Sequence, residues 1–460
     1  MSDVRNEDRV RGTLGELLPL KYGKSLPAAT RDASGSVPVF GSSGIVGQHS
    51  SALTTGPTII VGRKGNVGAV HYSAVPCWPI DTAYFVEPPA GHSATYYRYL
   101  LTSLNLVRLD KSTAIPGLSR DDYNAVEVAV HAPAQQIEIV AELEKQFSRL
   151  DEAVANLQRV KANLKRYKAS VLKAAVEGRL VETEATLARR EGRTYETGEQ
   201  LLQRILEERR VKWAGRGSYI SPSLPQEIKQ SYLPEGWAPC GIDHILPSSK
   251  DALKTGPFGS LLKKHEHQSS GIQVLGIENI EAMRFVKGSK ISITPEKASQ
   301  LSEYDVRPGD VLVSRSGTVG EVCVVPPDIG IARISTNLLR IRLAPNGMKP
   351  EFFVLLFNGS PLVLKQVADL CKGSTRDFLN QTILKQLNLL LPPFAEQRRI
   401  LDEVDRHLSI IREVEAEVDA NLQRAKALRQ ATLRSAFAGS SWLYRLSPAH
   451  NLLKELHVSL

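Results

Sequence analysis

The chain is poor in the residues that cross-link and ligate. Its 460 residues include four cysteines, Cys77, Cys240, Cys323 and Cys371, scattered so widely that none forms a C-x-x-C pair. A zinc site needs about four clustered soft ligands, and a disulfide scaffold needs dense, paired cysteines, so both are excluded. Isolated cysteines fit a reducing compartment. Long apolar runs are also missing. The longest, such as Asn388 to Phe394, fall far short of the roughly 20 residues that cross a bilayer. Residues 1–12 are charged and lack the apolar core of a secretory signal. A cytoplasmic protein is expected.

Catalytic signatures are absent in the same way. No G-x-x-x-x-G-K-[ST] stretch offers a phosphate cradle. The glycine-rich run from Gly62 lies between two strand-like segments, where a turn is expected rather than a nucleotide site. Glu87-Pro-Pro-Ala, Pro326-Pro-Asp-Ile and Leu391-Pro-Pro-Phe all fail the polar-Pro-Pro-aromatic pattern of an amino-methyltransferase. No set of carboxylates assembles on adjacent strands for a metal-dependent nuclease. His265 and His267 sit close together in a loop, where solvated surface is the expected role. No catalytic residue, metal ligand or cofactor is assigned.

What the chain has is a repeat. Ala134-Gln-Gln-Ile-Glu-Ile-Val and Ala395-Glu-Gln-Arg-Arg-Ile-Leu stand 261 residues apart, as do Leu143/Val404, Phe147/Leu408, Leu150/Ile411, Leu172/Leu433 and Gly178/Gly439. No insertion breaks the offset. In the first copy, apolar residues fall at Ile139, Leu143, Phe147, Leu150, Val154, Leu157, Val160, Leu164, Tyr167 and Val171. Steps of three and four make a coiled-coil seam. Pro133 and Pro393 precede the helices and glycines follow them. About 38 residues give a rod of roughly 55 Å. One such helix alone would leave its stripe in water, so the two copies are expected to pair.

The blocks before the helices echo each other. Gly56-Pro-Thr-Ile-Ile-Val-Gly-Arg-Lys-Gly-Asn-Val-Gly parallels Pro308-Gly-Asp-Val-Leu-Val-Ser-Arg-Ser-Gly-Thr-Val-Gly. Both read as a turn, a buried strand, a glycine-punctuated loop and another strand. Strands are expected at 37–40, 58–62, 69–72, 272–277, 310–314 and 338–343, with short helices at 96–106 and 351–357. Each half is therefore an α+β globule followed by a long helix. Between the halves, Thr197-Gly-Glu-Gln200 has the pattern of a capping box and opens a helix to Arg209-Arg210. A proline-bearing linker follows.

Lys and Arg exceed Asp and Glu by 58 to 49, a formal net charge of +9, which fits a polyanionic partner. The loops carry the candidate DNA contacts. In the first globule these are Lys21, Lys24, Ser42, Ser43, Arg63, Lys64, Asn66 and Lys111. In the second they are Lys254, Lys263, Lys264, Asn279, Arg315, Ser316, Thr318, Arg333, Asn337, Lys372, Thr375 and Arg376. Such side chains neutralise phosphates or pair with guanine and adenine edges. Arg63 and Arg315 occupy the same place in two loops of one chain.

Four segments carry a family resemblance: Val37-Pro-Val-Phe-Gly-Ser-Ser-Gly-Ile-Val-Gly, Ile59-Ile-Val-Gly-Arg-Lys-Gly-Asn-Val-Gly, Leu233-Pro-Glu-Gly-Trp and Leu391-Pro-Pro-Phe-Ala-Glu-Gln-Arg-Arg-Ile. The chain resembles the specificity subunit of Type I restriction-modification systems. The resemblance implies an α+β fold of two target recognition globules separated by two long antiparallel helices, a pseudo-twofold repeat. The implied spans are 12–132 for the first globule, 133–183 for the first long helix, 184–236 for a capped helix and linker, 237–392 for the second globule, 393–440 for the second long helix and 441–460 for a tail. Each globule would read one half of a split DNA site. The helices would set the spacer and dock two methyltransferase subunits, with Gln136, Ile139, Leu143, Gln397, Ile400 and Val404 as docking candidates. Motor-nuclease subunits would join, and the methyl donor, ATP and magnesium would sit on those partners. Two other readings stay open: a divergent DNA methyltransferase or nuclease acting alone, and a coiled-coil adaptor that binds no DNA.

Overall fold

The computed structural model describes residues 9–110, 116–213, 218–224, 233–258, 261–281, 283–372 and 378–438. The chain divides into two compact units, Met1–Lys161 with Ala416–Leu460, and Ala162–Glu415. Each unit holds a mixed globule and parts of both long helices.

In the first unit, Arg9–Thr13 pairs antiparallel with Glu127–His131. A four-stranded sheet follows the order Lys21–Tyr22, Ala83–Val86, Thr58–Gly62, Val70–Ser73. A three-stranded sheet sets Val37–Gly41 between Gly44–His49 and Trp78–Pro79, the latter pair parallel. The second unit repeats this plan. Ala238–Gly241 pairs with Asn388–Leu391. Its four-stranded sheet runs Leu253–Thr255, Leu338–Ile341, Val311–Ser314, Val322–Val324. Its three-stranded sheet sets Ile272–Leu275 between Ser292–Ile293 and Ala332–Ile334, again with one parallel pair. A small hairpin, Ile280–Glu281 with Arg284–Phe285, is added. The expected strands are all present, Thr58–Gly62 with the expected ends and the others with at least one end shifted by a residue or more. Alternation and apolar runs locate a strand better than its last hydrogen bond.

The central strands Thr58–Gly62 and Val311–Ser314 are buried along their whole length. Continuous apolar runs, rather than alternation, are what a strand covered on both faces requires. Ala94–Ser103 packs its tyrosines into the first core, and Pro350–Gly359 is almost wholly apolar and buried in the second.

The long helices span Pro133–Val176 and Phe394–Phe437, 44 residues each, or about 66 Å. This exceeds the sequence estimate because helical geometry begins at the first turn and runs to the last seam residue. Gly178 ends the first helix with φ +66, and the Arg179 amide returns to the Ala174 carbonyl. In the first unit, Asp151 meets Arg429 and Lys161 meets Asp419. In the second, Tyr167 meets His407 and Glu184 meets Arg399. Numbers rise on one strand of the pair as they fall on the other, so the pairing is antiparallel within each unit. Ile139, Leu143 and Phe147 join Leu433 and Ala436 in the first core, while Leu172, Val176, Ile400 and Val404 join the second. Other seam positions are less covered: Val154 and Leu164 are half-buried, and Tyr167 is exposed.

Gly198–Val211 begins at Thr197 with both capping-box bonds to Gln200 formed, as the sequence predicts. Leu201 and Ile205 seal it onto the second core. The helix Glu184–Glu191 before it carries no such reading in the sequence. No described helix is long and apolar enough to cross a membrane alone.

Candidate DNA-contacting loops

In both globules the loop leaving the central strand has one backbone design. Arg63-Lys-Gly-Asn-Val-Gly and Arg315-Ser-Gly-Thr-Val-Gly each place two glycines at positive φ: Gly65 and Gly68 at +80 and +71, Gly317 and Gly320 at +82 and +84. A side chain at those positions would be strained. The Gly68 amide closes onto the Gly62 carbonyl at 2.9 Å, and the Gly320 amide onto Ser314 at 3.0 Å. The arginines are held alike. The amide of Arg63 donates to Thr82 and its carbonyl accepts from Leu118. The amide of Arg315 donates to Asn337 and its carbonyl accepts from Leu379, the residue 261 beyond Leu118.

Their side chains differ in depth. The Arg63 guanidinium is half-buried, 5.6 Å from the Tyr22 ring and 5.8 Å from the Tyr84 ring. Arg120 approaches Tyr22 as well, at 5.7 Å. Arg315 is 4% exposed. It donates from Nε to the Leu379 carbonyl at 3.3 Å and from Nη1 to the Thr336 carbonyl at 2.9 Å. Phe258 and Phe378 lie 5.0 and 4.5 Å from its guanidinium carbon. Burial pulls its pKa below the ordinary arginine value.

The other sequence candidates divide into three groups. Ser43, Lys64, Asn66, Lys263, Lys264, Thr318, Asn337 and Lys372 are exposed and Ser316 is half-exposed. Ser316 Oγ donates to Asn337 Oδ1 at 3.2 Å, which brings Arg315, Ser316 and Asn337 into one loop cluster. A second group is engaged at the surface. Lys21 pairs with Glu87 at 2.6 Å, Lys254 with Glu303 at 2.6 Å, and Lys24 lies 5.9 Å from the Trp78 ring. The third group faces inward. Ser42 is buried and its carbonyl accepts from His71. Asn279 is fully buried: its Oδ1 accepts from the Gly276 amide, and its Nδ2 donates to Val286. Arg333 donates to the Ala298 carbonyl at 3.0 Å. The inward placement of Asn279, Arg315 and Arg333 has a common cause: each closes on backbone carbonyls or amides that would otherwise be orphaned in the core. Lys111, Thr375 and Arg376 lie outside the described residues. The sequence reading did not single out Tyr22, Tyr84, Arg120, Phe258 or Phe378. The only signal for Phe258 was a large apolar side chain between Pro257 and Gly259.

The six docking candidates are all buried in their own chain. Gln136 Oε1 accepts from the Ser93 amide at 2.9 Å, and its Nε2 donates to the His131 carbonyl at 2.8 Å. Gln397 does the same: Oε1 accepts from Lys349 at 2.7 Å and Nε2 donates to Pro392 at 3.1 Å. Ser93 and Lys349 are the N-caps of the short helices Ala94–Ser103 and Pro350–Gly359. Each glutamine therefore staples a globule helix to the start of a long helix. Ile139, Leu143, Ile400 and Val404 fill the cores beside them. These side chains face inward because they form the apolar stripe itself. Two of the segments carrying the family resemblance also meet. Trp237 Nε1 donates to buried Glu396 at 2.7 Å, and the Glu184 amide donates to its other oxygen at 2.8 Å.

A family model described as "Type I restriction modification DNA specificity domain" matches residues 6–164 and 259–423. The StySPI specificity subunit of a Type I restriction enzyme from Salmonella potsdam is 22% identical over 235 residues, 50% of this chain and 49% of that protein. The EcoBI specificity subunit from Escherichia coli is 23% identical over 221 residues, 48% of this chain and 45% of that protein. The chain thus spans about half the length of these curated relatives. A chain solved in work on complex assembly and conformational transition of the type I R-M system superposes with a TM-score of 0.62. It is 15% identical and covers 94% of this chain and 98% of its own, a likeness of fold.

Proposed function

The chain belongs to the Type I restriction modification DNA specificity family, and from that premise we propose that it is the DNA-reading subunit of such a system, with no catalysis of its own. Each globule reads one half of a bipartite site. One observation carries this reading: the loop from Arg63 to Gly68 and the loop from Arg315 to Gly320 share one backbone design at equivalent places in two globules. Two equivalent faces suit two half-sites, as a dimer's symmetry suits a palindrome.

The paired helices set the unread spacer, and their outer faces dock two methyltransferase subunits. Motor-nuclease subunits complete the restriction complex. The methyl donor, ATP and magnesium are carried by those partners, and the chain works in the cytoplasm. Exposed Lys64, Asn66, Lys263, Lys264, Thr318, Asn337 and Lys372, with half-exposed Ser316, supply phosphate and base contacts, while Asn279, Arg315 and Arg333 support them from below.

Methylated-base sequencing of a host with and without this gene tests the reading. Deletion is expected to erase methylation at one bipartite motif. Methylation unchanged, or loss at a single contiguous motif, would count against it.

A further inference from the structure

Around Arg315, four loops distant in sequence are drawn to one point. Its backbone and guanidinium hold Thr336, Asn337 and Leu379. The Phe258 carbonyl accepts from the Leu261 amide, and the Phe378 amide donates to the Cys371 carbonyl at 3.0 Å. The two phenylalanines flank the buried cation, yet they are 54% and 40% exposed. Burying an aromatic ring is favourable relative to leaving it in water, so a pair held open above a fixed support is a surface that a partner can cover. The loop set around them is polar: Ser316, Thr318 and Asn337 are its neighbours through direct hydrogen bonds or sequence. The first unit has a counterpart in kind, with Tyr22, 52% exposed, set over Arg63 and Arg120.

We propose that Phe258 and Phe378 are specificity-determining contacts of the second globule, meeting the bases of its half-site by stacking and apolar contact. Arg315 is the positioning residue that holds both rings in place. Stacking alone is tolerant of sequence; discrimination comes from apolar contact with base edges such as the thymine methyl, and apolar side chains enter duplexes at base steps rather than at phosphates.

The proposal rests on the DNA reading above, and one experiment separates the two. The full-length chain is used to select bound duplexes from a randomised pool, and affinity for the winner is followed against salt. Wild-type protein is expected to enrich two half-sites. Phe258→Ala and Phe378→Ala should each lose about ten-fold at one half-site, keep the other, and leave the salt slope unchanged. Phe258→Leu and Phe378→Leu, which keep the packing on Arg315, should lose the same half-site, so instability of the alanine forms does not decide the matter. Unchanged half-sites in all four variants would overturn the proposal, as would a uniform loss at every sequence. A wild-type chain that enriches no duplex would overturn the DNA reading as well.

Discussion

Gln136 and Gln397 do the same work at two places 261 residues apart. Each amide satisfies the N-cap amide of a globule helix and a carbonyl at the start of a long helix, in full burial. Truncating either leaves a buried donor and acceptor unmet. Gln397→Ala and Gln136→Ala should each destabilise by about 1–3 kcal/mol, read as a lowered midpoint in denaturant unfolding. His131 makes a second residue-scale prediction. Its backbone amide donates to Tyr96 Oη, which donates in turn to Nδ1 at 2.6 Å, an arrangement that suits the neutral ring. Burial, assisted by the Arg9 charge, lowers its pKa from 6.5 to about 4. The unfolded chain takes up that proton near pH 6.5 while the folded chain resists it. Stability is therefore full above pH 6.5 and falls as the pH drops toward 4, by on the order of 2–3 kcal/mol. His131→Asn should flatten this part of the stability profile. An equal slope in the variant would assign the loss to other groups. None of this was legible residue by residue. Gln136 and Gln397 stood out in the sequence, but a glutamine that docks a partner and one that staples a core read alike. Arg63 and Arg315 read alike too, although one is half-exposed and the other is closed onto Leu379 and Thr336 from distant loops.

At the scale of elements the sequence was far more informative. The helix Pro133–Val176 follows from its three-and-four spacing, and the capping box at Thr197 marks its helix start correctly. Both signals are local: periodicity and caps act within a few residues. Sheet order is not local. That Lys21–Tyr22 pairs with Ala83–Val86, and Leu253–Thr255 with Leu338–Ile341, depends on chain ends brought together across long loops. The glycine loops fall between these cases, because Gly65, Gly68, Gly317 and Gly320 announce the turn but not what it faces. The paired helices give the element-scale prediction. Inserting seven residues in register into both, within the helical stretches near Leu157 and Val418, preserves the seam and lengthens the pair by about 10 Å. Methylated-base sequencing should then return the same half-sites with a spacer longer by roughly three base pairs, at 3.4 Å per pair. Changed half-sites with an unchanged spacer would sink the idea that the helices set the distance.

The whole molecule is one design used twice with different interiors. The second unit sets buried Arg340 and half-buried Arg342 among Asp251, Asp305 and Asp310. In the first unit, Phe85 stands at the place of Arg340, opposite Lys21 as Arg340 is opposite Lys254. Shared backbone with divergent filling explains why the repeat was plain along the helices and faint in the globules: most seam positions keep an apolar residue, although Asn421 and Thr432 stand where the first helix has Val160 and Val171, whereas a core can be filled in many ways. The four cysteines share one consequence of this packing. All are buried, and burial pushes the Cys240 and Cys323 thiols up to about 12. A thiolate is the reactive form, so the folded protein offers alkylating dyes almost nothing to react with. Thiol titration should give a negligible fast phase in native buffer and four equivalents in denaturant. A single cysteine placed on an outer helix face, at Gln158 for example, would then be the sole fast-labelling position. That makes the native chain a ready background for measuring distances in solution by fluorescence or spin labels.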